Sequence, residues 1–456
     1  MTVLQAILGL FVLTGIAWAL SEQRRRLDWR LIVVGLSVQV AIAVVMLKFP
    51  PAQQAMRGLN EGVGAISSAT EAGTSFVLGF LGGDPDPVAN PYPFEVSNAG
   101  ATFIVAFRVL PLILFFTVLS ALLWHFRILP LVIRGFAYLL RRGLGVGGAV
   151  GVSTAANIFI GMVEAPVLIR PHLAILSRSE LFVVMTCGMA TIAGSVMILY
   201  SIILAEIIPN AIGHILTASL ISAPAAIMIA KIMIPGNSKT EGDPRNGDPR
   251  TGDPRNGDPR TGDPRNGDSR TGDPRNGDVG AAIKYDSVMD AITLSTGDGV
   301  RLMVSVGAML IVLVSLVALA NSALSLLPAF LGEPITLQRI LGYLFAPLVW
   351  LLGIPWSECL IAGSLMGSKT ILNELIAYMQ LADLPAGALS ARSRLIMSYA
   401  MCGFANLASL GIMIGGIGGI CPERRSEIVA LAPRTIVSGT LATCMTGALV
   451  GILVWE

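Results

Sequence analysis

The chain has 456 residues, of which 54% are hydrophobic and 13% charged, where an ordinary soluble domain carries about 25% charged residues. That composition cannot clothe a water-soluble surface, so most of the chain must face lipid. The net charge of +2, with arginines that alternate with aspartates or flank apolar runs, leaves no basic face for a polyanion and excludes nucleic acid as a partner.

The first apolar run, 3 to 20, lacks a basic leader and is followed by Arg24, Arg25 and Arg26, so it reads as a membrane span and not as a signal peptide. Further runs of roughly 20 residues, the length that crosses a bilayer, lie near 31 to 48, 101 to 124, 179 to 206, 212 to 235, 299 to 327, 394 to 420 and 432 to 454. Eight spans are thus expected. The stretch 50 to 98, with Glu61, Glu71, Asp84, Asp86 and Glu95, reads as an acidic loop. Segments 128 to 172 and 337 to 380 are apolar but broken by Gly, Pro, Asn and Glu, and read as amphipathic helices leading into re-entrant hairpins. Residues 242 to 276 alternate Gly-Asp-Pro-Arg-Asn with Gly-Asp-Pro-Arg-Thr, with Ser269 where Pro is expected. With no apolar residue to bury, this repeat cannot offset the entropy of ordering and reads as a disordered linker.

Basic residues mark the cytoplasmic ends of spans. Arg24 to Arg30, Arg127 to Arg142, Arg170, Arg178, Lys231, Arg424, Arg425 and Arg434 fall on one side if both termini are periplasmic, whereas Arg392 and Arg394 fall on the other. Five cysteines scattered without CxxC spacing read as core residues, and His125, His172 and His214 sit at span edges.

An internal repeat locates a site. Arg127-Ile-Leu-Pro and Arg339-Ile-Leu-Gly each open a segment that leads through a broken hairpin into a shared run, Cys187-Gly-Met-Ala-Thr-Ile-Ala-Gly in one copy and Cys402-Gly-Phe-Ala-Asn-Leu-Ala-Ser in the other. Thr191 then matches Asn406, and Gly194 matches Ser409. Three crossings separate the copies, which inverts the second, and inverted repeats with discontinuous helices place a binding site near the midplane. The domains expected are 1–126 (three scaffold spans), 127–235 (first repeat), 236–280 (low-complexity insert), 281–336 (the sixth span) and 337–456 (second repeat).

An ionised group at the bilayer centre costs about 2.5–3.5 kcal/mol on insertion scales, so Glu164 and Glu374, at corresponding places in the two hairpins, call for a reason. A helix terminus or a nearby Lys could simply fix each one. Asn157, Thr191, Asn373, Asn406 and Ser409 add neutral donors and acceptors, and unwound backbone beside Asn157 and Thr191 could replace the water around a small cation. Thr191 could equally bond back to its own helix. Phe404 is placed to stack on a flat ligand or to pack. The residues alone leave sodium and a proton both open. There is no Ser, His and Asp arrangement and no phosphate-binding loop, so neither a hydrolase nor an ATP-driven pump is indicated. A transporter for another hydroxylated small molecule, and a membrane-embedded enzyme using the two glutamates as an acid and base pair, are the alternatives to the reading that follows.

Gly367-x-Lys369-x-x-x-Asn373-Glu374 with Ala377-Tyr378, the hairpin run Glu164-Ala-Pro and the run beginning at Cys402 together resemble the signature of the concentrative nucleoside transporters, over nearly the whole chain outside the insert. The resemblance implies an all-α integral membrane protein of the bacterial inner membrane, a homotrimer with eight transmembrane helices and two opposed re-entrant hairpins per protomer. Each protomer would import nucleosides by symport with sodium or, in some members, protons. It implies no enzyme activity and no cofactor beyond the coupling ion. By position, Glu164 would face the nucleobase, Glu374, Asn406 and Ser409 the ribose, and Phe404 and Val196 the apolar sides of the ligand. The Asn157 and Thr191 side chains, with the carbonyls of Ile160, Thr191 and Ile192, would hold sodium. Many members carry Gln and then a hydroxyl residue where this chain has Met162 and Val163, so base selectivity is expected to differ. Leu375-Ile376-Ala377 stands where Phe-Val-Ala is usual, and Thr191 stands where Ser is usual.

Overall fold

The computed structural model describes residues 2–83, 104–236, 285–329 and 334–454. The pentapeptide run and most of the stretch after residue 83 lie outside them. The described residues are helical throughout, in the order α1 (Thr2–Ala19), α2 (Trp29–Lys48), α3 (Pro50–Leu78), α4 (Val105–Arg108), α5 (Leu110–His125), α6 (Ile128–Leu144), α7 (Gly148–Ile160), α8 (Glu164–Val167), α9 (Arg170–Leu173), α10 (Arg178–Ala190), α11 (Gly194–Leu204), α12 (Ala211–Met233), α13 (Val288–Leu324), α14 (Leu337–Trp350), α15 (Cys359–Ile371), α16 (Glu374–Ala382), α17 (Ala391–Ala400), α18 (Leu407–Ile420) and α19 (Arg425–Leu453).

Among the described residues six helical stretches are long and apolar enough to cross a membrane: α1, α2, α4 with α5, α12, α13 and α19 with the short turn before it. The remaining two expected spans are each split. The run 179 to 206 forms α10 and α11 on either side of extended residues Thr191 to Ala193, and 394 to 420 forms α17 and α18 on either side of the stretch 401 to 406. The expected hairpin segments are likewise helix, break and helix. At 13 residues each, α7 and α15 reach about 20 Å, short of the ~30 Å hydrocarbon layer. One expectation is corrected: 50 to 78, read as loop, is the 29-residue helix α3. Its buried residues Met56, Val63 and Thr70 recur every seventh position, a stripe two turns apart that seats one face on the protein.

Local signals explain where helices begin. Ser177 and Glu180 form a reciprocal capping box at the start of α10, each side chain accepting from the other's backbone N–H. Asp28, Ser287, Thr336 and Ser390 cap α2, α13, α14 and α17 through side-chain oxygens. On α6 the residues Leu129, Ile133, Ala137, Leu140 and Leu144 are buried while Arg134, Arg141 and Arg142 are exposed, the expected amphipathic helix.

The core is built on α12 and α19, whose apolar windows are 89% and 78% buried. They pack on each other and on α10, α17, α1 and α2. Hydroxyl pairs join them across the interior, Ser222 Oγ to Thr446 Oγ at 2.9 Å and Thr186 Oγ, from α10, to Ser438 Oγ at 2.8 Å. All five cysteines are free and buried, as expected of core residues. Outside this body, α5 and α13 lie along each other, and the apolar window of α13 is 0% buried.

At one end of the molecule Glu22, in the turn between α1 and α2, accepts from Arg178 at 3.0 Å and from Arg434. Arg424 donates to Glu427 at 2.6 Å and to the carbonyls of Leu173 and Leu176. These arginines come from both repeats and gather on one face, as the positive-side assignment expects. Arg392, which violated that assignment, is buried at the opposite end. Its guanidinium donates to the carbonyls of Gly353 at 2.7 Å, Gly451 at 2.5 Å and Val454 at 3.2 Å, tying the turn after α14 to the C-terminal end of α19.

Candidate functional site

The four breaks meet in the middle of the molecule. A Cβ on Gly403, in the α17–α18 break, would lie 3.0 Å from the Ala190 carbonyl at the end of α10, so the two broken crossings touch backbone to backbone. A Cβ on Gly194 would lie 2.6 Å from the Phe159 carbonyl, which brings the start of α11 onto the end of α7. In turn α11 packs on α16, and α15 packs on α18.

In the second repeat Glu374 is the first residue of α16 and is buried. Asn373 caps the same helix, its Oδ1 accepting from Ile376 N–H at 2.9 Å, so a carboxylate sits where the helix dipole favours negative charge. Asn406 caps α18, its Oδ1 accepting from Ser409 N–H at 2.7 Å, and its Nδ2 donates to Glu374 Oε2 at 2.7 Å. Two helix N-termini therefore converge on one carboxylate. The other oxygen, Oε1, accepts from the Tyr200 hydroxyl of α11 at 2.5 Å, the length of a charge-assisted O–H···O bond. Tyr200 packs its ring against Tyr378 at 5.0 Å between centroids. Lys369, near the end of α15, is fully buried and its ammonium has no hydrogen-bond partner among the described residues.

In the first repeat Asn157 Nδ2 donates to Thr191 Oγ at 2.8 Å, and Thr191 Oγ donates back to the Cys187 carbonyl at 3.0 Å. Thr191 thus does bond to its own helix, as one reading expected, while also accepting from the hairpin. The oxygen of the Asn157 amide, Oδ1, is buried with no donor among the described residues, and Thr191 Oγ keeps a second lone pair. Beside them the last turn of α7, ending at Ile160, and the extended residues Thr191 and Ile192 carry carbonyls outside any helix ladder. This is an oxygen-rich pocket with acceptors in excess of donors, which suits a small hard cation.

Glu164 opens α8 and is exposed, unlike Glu374. It follows Gly161, whose φ of +101° is open to glycine and strained for other residues. A Cβ there would lie 2.8 Å from Glu164 Oε2 and 3.1 Å from the Ala193 Cβ. Met162 is buried against Gly188 of α10, and Val163 lies against Gly416 of α18. Val196 and Phe404 are half-buried on α11 and in the α17–α18 break, and Ser409 is buried in the first turn of α18. His214 lies in the first turn of α12 but turns inward, its Nδ1 2.9 Å from the Tyr399 hydroxyl. Tyr200 was not foreseen from the sequence. A lone tyrosine in an apolar span reads as packing, and the only signal is that a buried phenol needs a hydrogen-bond partner.

The family described as Na+ dependent nucleoside transporter, C-terminus, matches residues 214–451, its N-terminal counterpart matches 8–81, and a nucleoside recognition (Gate) family matches 106–206. A Helicobacter pylori protein named nucleoside permease NupC is 34% identical, the match covering 98% of this chain and 97% of that one. The chain belongs to the concentrative nucleoside transporter family. A solved structure of CNTnw in an inward-facing substrate-bound state, 31% identical, matches with a TM-score of 0.83 over 99% of this chain and 98% of that one. The rat sodium/nucleoside cotransporter 1 is 29% identical, and the match spans 63% of its length. The chain is accordingly a transporter and not an enzyme, a multi-pass protein of the bacterial inner membrane.

Proposed function

We propose that this chain imports nucleosides by symport with sodium. The observation that carries the reading is the pairing of two unlike sites across the touching breaks: a carboxylate clamped by two helix N-termini, and an amide oxygen, Asn157 Oδ1, beside unwound backbone and with no donor among the described residues. A carboxylate offers about four acceptor lone pairs. Tyr200 and Asn406 occupy two, which leaves acceptors for a vicinal diol such as that of ribose. In this reading Glu374, Asn406 and Ser409 hold the ribose, Phe404 and Val196 flank the ligand, and Glu164 faces the base, with Met162 and Val163 setting an apolar wall. Asn157, Thr191 and the carbonyls of Ile160, Thr191 and Ile192 hold sodium, the ion in the names of the matching family and of the rat cotransporter. Coupling requires that ion and ligand together favour the state able to cross while the ion alone does not. Because the ion ligands Thr191 and Ile192 lie in the break that α11 follows, ion occupancy would order the element that carries Tyr200. The hairpins would be re-entrant and opposed, and the assembly a homotrimer.

The test is uptake of a panel of labelled nucleosides into proteoliposomes under separate sodium and proton gradients. Sodium-dependent accumulation of intact nucleoside at constant pH is expected, and Asn157→Ala should raise the sodium needed. Sodium-independent uptake that follows an imposed pH gradient would transfer the coupling role to a titrating group, with Glu164 the first to test. Light scattering of the detergent-solubilised protein checks the trimer.

A further inference from the structure

A symporter must solve two problems with one carboxylate. Glu374 has to be available to a diol when the ligand arrives, yet it must not be left unsatisfied when the carrier returns empty through a state from which water is excluded. A buried ionised carboxylate without donors is costly. Both oxygens of Glu374 accept from the protein itself, Oε2 from Asn406 and Oε1 from Tyr200. The two donors differ in kind. Asn406 belongs to the same repeat as Glu374 and is held at both ends, since its Oδ1 caps α18. Tyr200 comes from the other repeat, on α11 directly after the break that holds Thr191, and its single O–H is given to Glu374. Its ring is buried and backed by Tyr378, whose own hydroxyl is committed to the Ser398 carbonyl at 2.8 Å.

We propose that Tyr200 is a positioning residue for the return of the empty carrier: its hydroxyl stands in for a ligand hydroxyl on Glu374 and keeps the carboxylate satisfied while the unloaded site crosses. This rests on the reading of Glu374 as the ribose-holding group. With nucleoside bound, the diol supplies its own donors to Glu374, so the loaded carrier depends on Tyr200 less. In the end states water can reach the site and replace a missing donor. Only the occluded, unloaded form has neither ligand nor water, and there the phenol matters most.

The consequence is a split between two transport modes. Net uptake into empty vesicles requires the unloaded return; exchange of internal for external nucleoside does not. In Tyr200→Phe, net uptake should fall about tenfold relative to wild type, while exchange falls less than about threefold. Tyr378→Phe, which loses a hydroxyl that does not reach Glu374, should leave the ratio of the two modes unchanged. If the Phe variant fails to insert, Tyr200→His, which retains a ring N–H donor, should keep a ratio near that of wild type, and Tyr200→Leu should show the split. Equal loss of both modes in Tyr200→Phe, or no loss in either, would overturn the proposal. A wild type that neither accumulates nor exchanges nucleosides would instead overturn the functional reading beneath it, and the two failures are therefore distinguishable.

Discussion

At the scale of single residues the site is a matter of which lone pairs are already taken. Glu374 is buried with one donor on each oxygen, so replacing its charge weakens every bond it accepts, since charge-assisted bonds are roughly twice as strong as neutral ones. Glu374→Gln should raise the nucleoside concentration for half-maximal uptake at least tenfold, about 1.4 kcal/mol, in protein that inserts normally; unchanged affinity would remove it from the site. Gly161 acts through geometry instead. Alanine there is strained at φ +101° and its methyl would crowd Glu164 Oε2 and Ala193, so Gly161→Ala should impair uptake with little loss of membrane insertion, while Gly135→Ala on α6, where a Cβ meets nothing, serves as the neutral control. Much of this was legible beforehand. Asn157, Thr191, Glu374 and Asn406 announce themselves because polar side chains in apolar spans are conspicuous, and the internal repeat matches Thr191 to Asn406 and Glu164 to Glu374. Tyr200 and Arg392 do not, because their partners are supplied by other segments: a carboxylate from the opposite repeat in one case, and in the other two carbonyls at the far end of α19 and one in the turn after α14.

At the scale of elements, hydropathy found the long helices and missed what interrupts them. The stretch 179 to 206 contains no proline, and the break at Thr191 to Ala193 shows only as a run too long for one crossing, with a hydroxyl and then Gly194 inside it. Helix α3 was hidden by the opposite effect, a composition polar enough to pass for loop although its buried residues keep a regular spacing. The turn between α1 and α2 is tied to both repeats through Glu22. Partial burial pushes its carboxyl up, but hydrogen bonds and charge from Arg178 and Arg434 outweigh that and hold it below the ordinary carboxylate range. A carboxylate whose folded-state value is depressed contributes stability in full above its unfolded value, about 4.3 for Glu, and loses it as pH falls through the folded value. Glu22→Gln should therefore unfold roughly 1–2 °C earlier than wild type at neutral pH, as befits a partly exposed ion pair of about 0.2–1 kcal/mol, and the gap should close in acid. A gap that persists at low pH would mean that packing, not charge, holds the turn.

At the scale of the whole molecule two kinds of surface meet. The body around α12 and α19 is buried nearly throughout, and α1 and α2 pack directly on it, so these first two spans, expected from the sequence to be scaffold, should instead travel with whatever the body does. A cross-link between α1 and α19 should accordingly leave uptake within about twofold, whereas one between α5 and α11 should slow it if the outer pair stays fixed while the body moves. Transport blocked by the first cross-link and spared by the second would reverse that division. The outer helix α13 is 37 residues long, about 55 Å at 1.5 Å per residue, against a hydrocarbon layer of about 30 Å. Its N-terminal part carries Asp290, Asp298 and Arg301, so the apolar part is shorter than the helix and the rod either projects or leans, any lean being set by packing against its neighbours. Since α13 lies along α5, and α5 against α11, packed helices connect this lipid-facing rod to the helix that carries Tyr200. Uptake in vesicles of differing acyl-chain length should therefore differ in rate, and a rate indifferent to bilayer thickness would show that the outer pair is uncoupled from the site.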